Sequence, residues 1–182
     1  MNKKKTNIAV FGGGCFWCTE AIFQKLKGVI SVIPGYAGGN VKNPTYDLVS
    51  QGTTGHAEVI KIDFDPDVIS YTQLLDIFWA VHNPTSLNQQ GNDIGSQYRS
   101  IILAADEEQL KQARDAKQEL ETSGKFRQSI VTEIQALELF YPAESYHHHY
   151  YDNDPAQPYC SIVITPKLQQ FEEQFQDLLK RE

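Results

Sequence analysis

The sequence predicts an α+β fold, in which a mixed sheet carries helices and irregular loops lie over one edge. Three observations predict it: strand and helix periodicities are interleaved, their order fits a parallel strand–helix–strand unit, and three of the loops are long. With 182 residues, 41% of them hydrophobic, the chain is long enough to bury a core and short enough to form a single domain, residues 1–182.

Asn7 to Phe11 is apolar and β-branched and runs into Gly12-Gly13-Gly14. Phe16, Ile22, Phe23 and Leu26 then recur at helical spacing up to a stop at Gly28, so this stretch reads as strand, glycine turn and helix. Val29 to Ala37 reads as an extended segment broken by Pro34, with loop chemistry over Gly35-Tyr36-Ala37-Gly38-Gly39. Tyr46 to Gln51 is a short helix closed by Gly52, and Ala57 to Phe64 alternates like a half-buried strand. Ser70 and Gln73 form a capping-box pattern that opens a helix through Leu74, Leu75, Phe78 and Trp79. His82 to Ser96 is loop, Gln97 to Ala104 strand, Asp106 to Thr122 a polar-faced helix and Ser129 to Leu139 another strand. Thr165-Pro166 opens a last helix, with Leu168, Phe171, Phe175, Leu178 and Leu179 on one face. The long loops lie around Tyr36 to Tyr46, His82 to Gly95 and Tyr141 to Tyr159, and loops of that length in a compact domain usually carry function.

A formal charge of −7 argues against a nucleic-acid or anionic-membrane surface, because phosphate binding needs clustered Lys and Arg. The one basic run, Lys3-Lys4-Lys5, reads as a solvated terminus. No stretch reaches the roughly 20 apolar residues that span a bilayer, and Met1 to Val10 lacks the marks of a signal peptide, so the expected compartment is the cytoplasm. Three cysteines are too few for a secreted disulfide framework and are expected as free thiols.

Cys15 stands at a predicted helix N-terminus after three glycines. A thiol attacks only as thiolate, and the positive end of a helix stabilises that anion, so a lowered pKa and a nucleophilic Cys15 are expected. Cys15 and Cys18 form a Cys-x-x-Cys pair, a spacing shared by disulfide oxidoreductases and zinc sites. Phe16 and Trp17 between them would leave apolar surface in water unless they pack into the core or line a pocket for an apolar group.

Gly14-Cys15-Phe16-Trp17-Cys18 resembles the signature of the A-type peptide methionine sulfoxide reductases. The resemblance continues through Gly35-Tyr36-Ala37-Gly38-Gly39, Pro44-Thr45-Tyr46, Gly55-His56-Ala57-Glu58, His82-Asn83-Pro84-Thr85, Asp93-Ile94-Gly95-Ser96-Gln97-Tyr98-Arg99-Ser100 and Phe140-Tyr141-Pro142-Ala143-Glu144. It implies a two-layer α/β sandwich with a ferredoxin-like mixed sheet and long active-site loops. It also implies a thiol-dependent reduction of methionine-S-sulfoxide, free or in proteins, by a monomeric enzyme with no cofactor, with thioredoxin as the reductant.

A departing sulfoxide oxygen needs an acid and hydrogen-bond donors, and the resemblance places these at Glu58, Tyr46 and Tyr98. It assigns Phe16 and Trp17 to the substrate methyl group and Asp93 to supporting the site as an acceptor for backbone or water. Attack by Cys15 leaves a sulfenic acid that a second thiol condenses with. Cys18 and Cys160 are both candidates for that thiol, with an external thiol as a third route. Many relatives carry a resolving cysteine in a glycine-rich tail, but here Cys160 is followed by Ser161-Ile162-Val163-Ile164, which fits a buried strand.

Two other function classes fit parts of the sequence. A thioredoxin-like disulfide exchanger would use Cys15 and Cys18, and a zinc or interaction domain would use the histidines. His147-His148-His149 lacks zinc-site spacing, so no metal is expected and the run reads as a polar loop beside the active site. His56 and His82 read as loop and packing positions, and Glu144 as a structural carboxylate.

Overall fold

The computed structural model describes residues 7–181; the Lys3-Lys4-Lys5 run lies outside them. Strand β1 (Asn7–Gly12) leads through the glycines into helix α1 (Phe16–Phe23), and β2 (Val29–Ala37) follows. Then come α2 (Tyr46–Ser50), β3 (Ala57–Phe64), α3 (Tyr71–Val81), the small hairpin β4 (Gln89–Gln90) and β5 (Asp93–Ile94), and β6 (Ile101–Ala104). The chain finishes with α4 (Glu107–Thr122), β7 (Glu133–Ala136), β8 (Phe140–Pro142), α5 (Tyr150–Asn153) and α6 (Thr165–Gln174).

The main sheet has six strands in the order β7-β6-β1-β3-β2-β8. Both β1 and β2 pair antiparallel with β3, so β1 and β2 run parallel with β3 between them, bridged by α1. With β6 antiparallel on the other side of β1, this is the ferredoxin-like arrangement. β6 and β7 are parallel and joined by α4, which makes the sheet mixed.

Side-chain alternation assigns the two faces. Ala9 and Phe11 of β1, Ile60, Ile62 and Phe64 of β3 and Ile102 of β6 enter the main core under the helices. Val10, Ala57, Val59, Ile101 and Leu103 form a smaller cluster on the opposite face, packed by Leu137 and Phe140. Phe11 is central to the larger core, with its ring 4.9 Å from that of Phe78 and 5.9 Å from those of Phe23 and Tyr71. Helix caps follow the sequence: Ser70 and Gln73 close a reciprocal capping box on α3, Thr45 caps α2 and Asp106 caps α4.

Several expectations change in the folded chain. β3 is central and almost wholly buried rather than half-buried. Pro34 does not break β2: its carbonyl accepts the N–H of Ala143, so the residue faces the short edge strand β8 where a missing donor is tolerated. Gly35 to Ala37 therefore belongs to the strand, because Tyr36 pairs with Glu58 on one side and Tyr141 on the other. Gln97 and Tyr98 lie in a 3₁₀ turn over Ser96–Tyr98, and the strand starts only at Ile101. The stretch Ser129 to Leu139 contributes only Glu133 to Ala136. Cys160 to Ile164 is a π-helical turn leading into α6 and not a strand, because Thr165-Pro166 continues as helix.

Gly12 sets how closely β1 and β3 approach. A Cβ there would stand 2.9 Å from the Glu58 carbonyl oxygen and 2.8 Å from Ile101 Cγ2. Gly12→Ala is expected to destabilise the protein by about 1–3 kcal/mol through overpacking, measured by urea unfolding, and to lower activity because the strain falls on the residue carrying Glu58.

Candidate active site

The site forms where β1 ends. Gly14 takes φ +98°, a conformation open to glycine, and turns the chain so that Cys15 becomes the N-cap of α1. His82 sits behind the turn, where a Cβ on Gly13 would be 3.1 Å from its ring. From β3, alternation sends Glu58 to the helical face with Ile60 and Ile62, under the start of α1. There its Oε2 accepts the Phe16 N–H at 3.1 Å.

Seven residues singled out from the sequence meet at one cavity of about 210 Å³: Cys15, Phe16, Trp17, Tyr46, Glu58, Asp93 and Tyr98. Tyr159 completes its lining. A larger cavity of about 730 Å³ opens beside Trp79, Lys125 and Lys167 but takes in none of the cysteines.

Glu58 is 2% exposed, and burial pushes its pKa up to about 8 despite the Phe16 hydrogen bond. Tyr46 and Tyr98 are half-buried, and both have their phenols pushed up by desolvation and the nearby Glu58. Each is therefore a protonated donor at neutral pH.

Cys15 departs from its expected state. Burial, the neighbouring Cys18 thiol and the Glu58 charge push its pKa well up. Cys18 moves down, chiefly through its interaction with Cys15. The helix N-terminus alone suggested a Cys15 thiolate, but Glu58 occupies the first free N–H and Cys15 is buried. The two sulfurs titrate as a pair in which Cys15 holds its proton more tightly than Cys18.

The structure sharpens other roles. Phe16 is both core and pocket wall, with its ring 5.8 Å from Tyr36. Asp93 accepts the Tyr159 hydroxyl at 2.7 Å, a side chain rather than the expected backbone or water. Cys160 is fully buried in one cluster with Cys15, Cys18 and Ala21. His147 is not part of a polar loop: it is 1% exposed, and its Nδ1 accepts the Trp17 indole N–H at 3.0 Å. Burial holds His147 below the usual imidazole range. Glu144 accepts from the Tyr36 hydroxyl and the Tyr46 N–H, both at 2.8 Å, and so holds α2 near the site. His56 accepts the Gly39 N–H and donates to the Val41 carbonyl; His82 bonds Phe78 and Ser100 and is pushed down to about 4 by burial. Among the described residues no group of three or more His, Cys, Asp or Glu is placed to hold a metal.

The profile of the family described as "Peptide methionine sulfoxide reductase" matches residues 7–179. The chain belongs to the peptide methionine sulfoxide reductase family. It is 53% identical over 173 residues to "Peptide methionine sulfoxide reductase MsrA" of Saccharolobus solfataricus, covering 95% of this chain and 97% of that one. Among solved structures it resembles Mxr1 from Saccharomyces cerevisiae in reduced form, with TM-score 0.80, 35% identity and coverage of 86% of this chain and 90% of that one. Mxr1 in complex with Trx2 also matches, with TM-score 0.57, 25% identity and coverage of 82% and 87%.

For a member of this reductase family, sequence reasoning left out three contributors to the site: Tyr159, which reaches Asp93, Tyr150, which stacks on Trp17 at 3.7 Å and 4°, and His147. Their only sequence signal was position, next to Cys160 and within a histidine-rich run. No helix among the described residues is long and apolar enough to cross a membrane.

The raised pKa of Glu58 predicts a stability effect with a definite sign. Unfolded, the carboxyl ionises near 4.5; folded, only near 8, so the native state keeps a proton that the unfolded state releases. Stability is therefore lost as pH rises between those values. Glu58→Gln, which cannot ionise, is expected to unfold at higher denaturant than the parent at pH 8, with the gap closing towards pH 4.5. A constant gap across that range, in urea titrations at several pH values, would remove this account.

Proposed function

We propose that the protein reduces methionine sulfoxide, free or in exposed protein segments, with Cys15 as nucleophile and Glu58 as proton donor. The observation that carries this reading is a protonated, buried carboxyl facing a cysteine pair across a small cavity walled by Phe16 and Trp17. A cavity of about 210 Å³ lies below the ~300–1,000 Å³ typical of drug-sized ligand sites and suits a single side chain.

The proton of Cys15 passes to Cys18 within the pair, and the Cys15 thiolate attacks the sulfoxide sulfur. Below about pH 8 Glu58 is neutral, so its charge no longer opposes that thiolate. Glu58 gives its proton to the departing oxygen while the hydroxyls of Tyr46 and Tyr98 donate to it. The sulfoxide is reduced to methionine and Cys15 is oxidised to a sulfenic acid. Asp93 positions Tyr159 over the site.

Cys18, in one buried cluster with Cys15, then attacks the sulfenic sulfur, forming the Cys15–Cys18 disulfide and releasing water. Cys160 shares their cluster and is the thiol to which the disulfide can be handed on. A thioredoxin dithiol restores the cysteines, a step supported by the resemblance to Mxr1 in complex with Trx2. The match over residues 7–179 supports one catalytic domain. A general disulfide exchanger on Cys15 and Cys18 has no use for the acid and two phenols at the same cavity, which favours the reductase reading.

Cys15→Ser is expected to abolish consumption of the S epimer of methionine sulfoxide with dithiothreitol; undiminished turnover would end the reading. Glu58→Gln should slow the single-turnover reduction by about 10²-fold or more, and in the parent that rate should fall as pH rises through about 8. After one turnover without reductant, proteolysis and mass mapping should recover a Cys15–Cys18 link or the Cys18–Cys160 link formed when it is handed on. A Cys15–Cys160 link formed in its place would reassign the resolving thiol.

A further inference from the structure

Glu20 is a buried carboxylate that the reaction described above leaves unused. It is 1% exposed on α1, and among the described residues it makes no ion pair with a Lys or Arg. Burying such a group without a partner cation is costly, and desolvation raises its pKa to about 7. Its carboxylate accepts the backbone N–H of His149 at 2.8 Å. His149 is held at φ +53°, a left-handed conformation uncommon for a residue with a side chain. The titratable side chains that act electrostatically on Glu20 are those of His149 and Asp152.

Trp17 and Glu20 lie three residues apart and so share one face of α1, and Gln24 lies one turn further on. Each grips the same segment. Trp17 donates to His147 and stacks on Tyr150; Glu20 holds His149, next to Tyr150; Gln24 donates to Asp152 at 2.9 Å. The rings that fix the Trp17 indole thus stand on a strap whose backbone is tied down by Glu20.

We propose that Glu20 is a positioning residue for substrate binding: it anchors the strap from His147 to Asp152, which holds Trp17 in the conformation that forms the apolar wall of the sulfoxide pocket. This rests on Trp17 lining that pocket in the reading above. The strap's hydrogen bond to the pocket lining is made at Trp17, while its other contacts there are ring packing of His147 on Tyr46 and of Tyr150 on the cysteine cluster, so its loosening acts first on KM for methionine sulfoxide and less on the chemical step.

The test uses the full chain, with methionine sulfoxide in a short peptide as substrate. Glu20→Ala should raise KM by about tenfold, the size of one charge-assisted hydrogen bond transmitted to binding, with kcat changed less than about threefold. Trp17 emission, taken as the difference from Trp17→Phe, should shift to longer wavelength in Glu20→Ala. Glu20→Gln keeps one acceptor in place and should restore both readouts, while Glu20→Asp, which draws the charge back by one methylene, should not.

Unchanged KM and unchanged Trp17 emission in Glu20→Ala would overturn the proposal. So would Glu20→Gln behaving like Glu20→Ala, or kcat falling with KM unmoved. Should Glu20→Ala fail to fold, Glu20→Asp decides by the same two readouts. Unchanged KM in Trp17→Phe would instead remove Trp17 from the pocket wall, a failure of the underlying reading. A raised KM there beside an unmoved Glu20→Ala overturns the role of Glu20 alone.

Discussion

The site depends on one hydrogen bond, from the Phe16 N–H at the start of α1 to the carboxylate of Glu58 on β3, 3.1 Å long and buried. It joins the two elements that carry Cys15 and Glu58, the proposed nucleophile and acid, through residues that lie 42 apart in the chain. It also decides how the helix N-terminus is used. A free N–H there would have favoured a thiolate at Cys15; bonded to Glu58, it helps hold a carboxyl in a place that burial would otherwise make still more hostile to its charge.

From that constraint the electrostatics follow. A carboxyl, two phenols and a thiol pair around one small cavity cannot all be ionised, so protons are retained where charge is least solvated. Glu58 keeps its proton to about pH 8, the phenols of Tyr46 and Tyr98 keep theirs, and Cys15 holds its proton more tightly than Cys18. The resting site is thus loaded with the protons that reduction of a sulfoxide consumes. An oxygen leaving sulfur meets donors already in place, so little reorganisation is needed at the moment of reaction.

Around this centre the carboxylates divide the work. Glu144 collects the Tyr36 hydroxyl and the Tyr46 N–H and stays below the ordinary carboxylate range: these donors and its own N–H outweigh the desolvation that would raise it. Asp93 holds Tyr159 against the pocket from the β4–β5 hairpin. Glu20 ties down the segment that sandwiches Trp17. Each fastens a long loop to the rigid sheet-and-helix frame, which is why loops as long as Tyr141 to Tyr159 can present side chains in fixed positions.

The sequence by itself determined the frame and the chemistry-bearing residues. Periodicity placed the strand–turn–helix at Cys15, the helices from Tyr46 and from Asp106, the capped helix after Ser70 and the helix opened by Thr165, because these are local signals carried by neighbouring residues. Motif resemblance singled out seven residues that meet at one cavity. What needed the tertiary structure was everything set by distant partners. Pro34 stays in β2 because it faces a short edge strand, and Tyr98 leaves the strand for a 3₁₀ turn. His147 becomes a buried acceptor for an indole 130 residues away, and Tyr159 reaches an aspartate across 66. The proton on Cys15 belongs to the same class. Its local sequence promised an anion, and only burial with Cys18 and Glu58 decided otherwise, since desolvation is a property of the packed site and not of any stretch of chain.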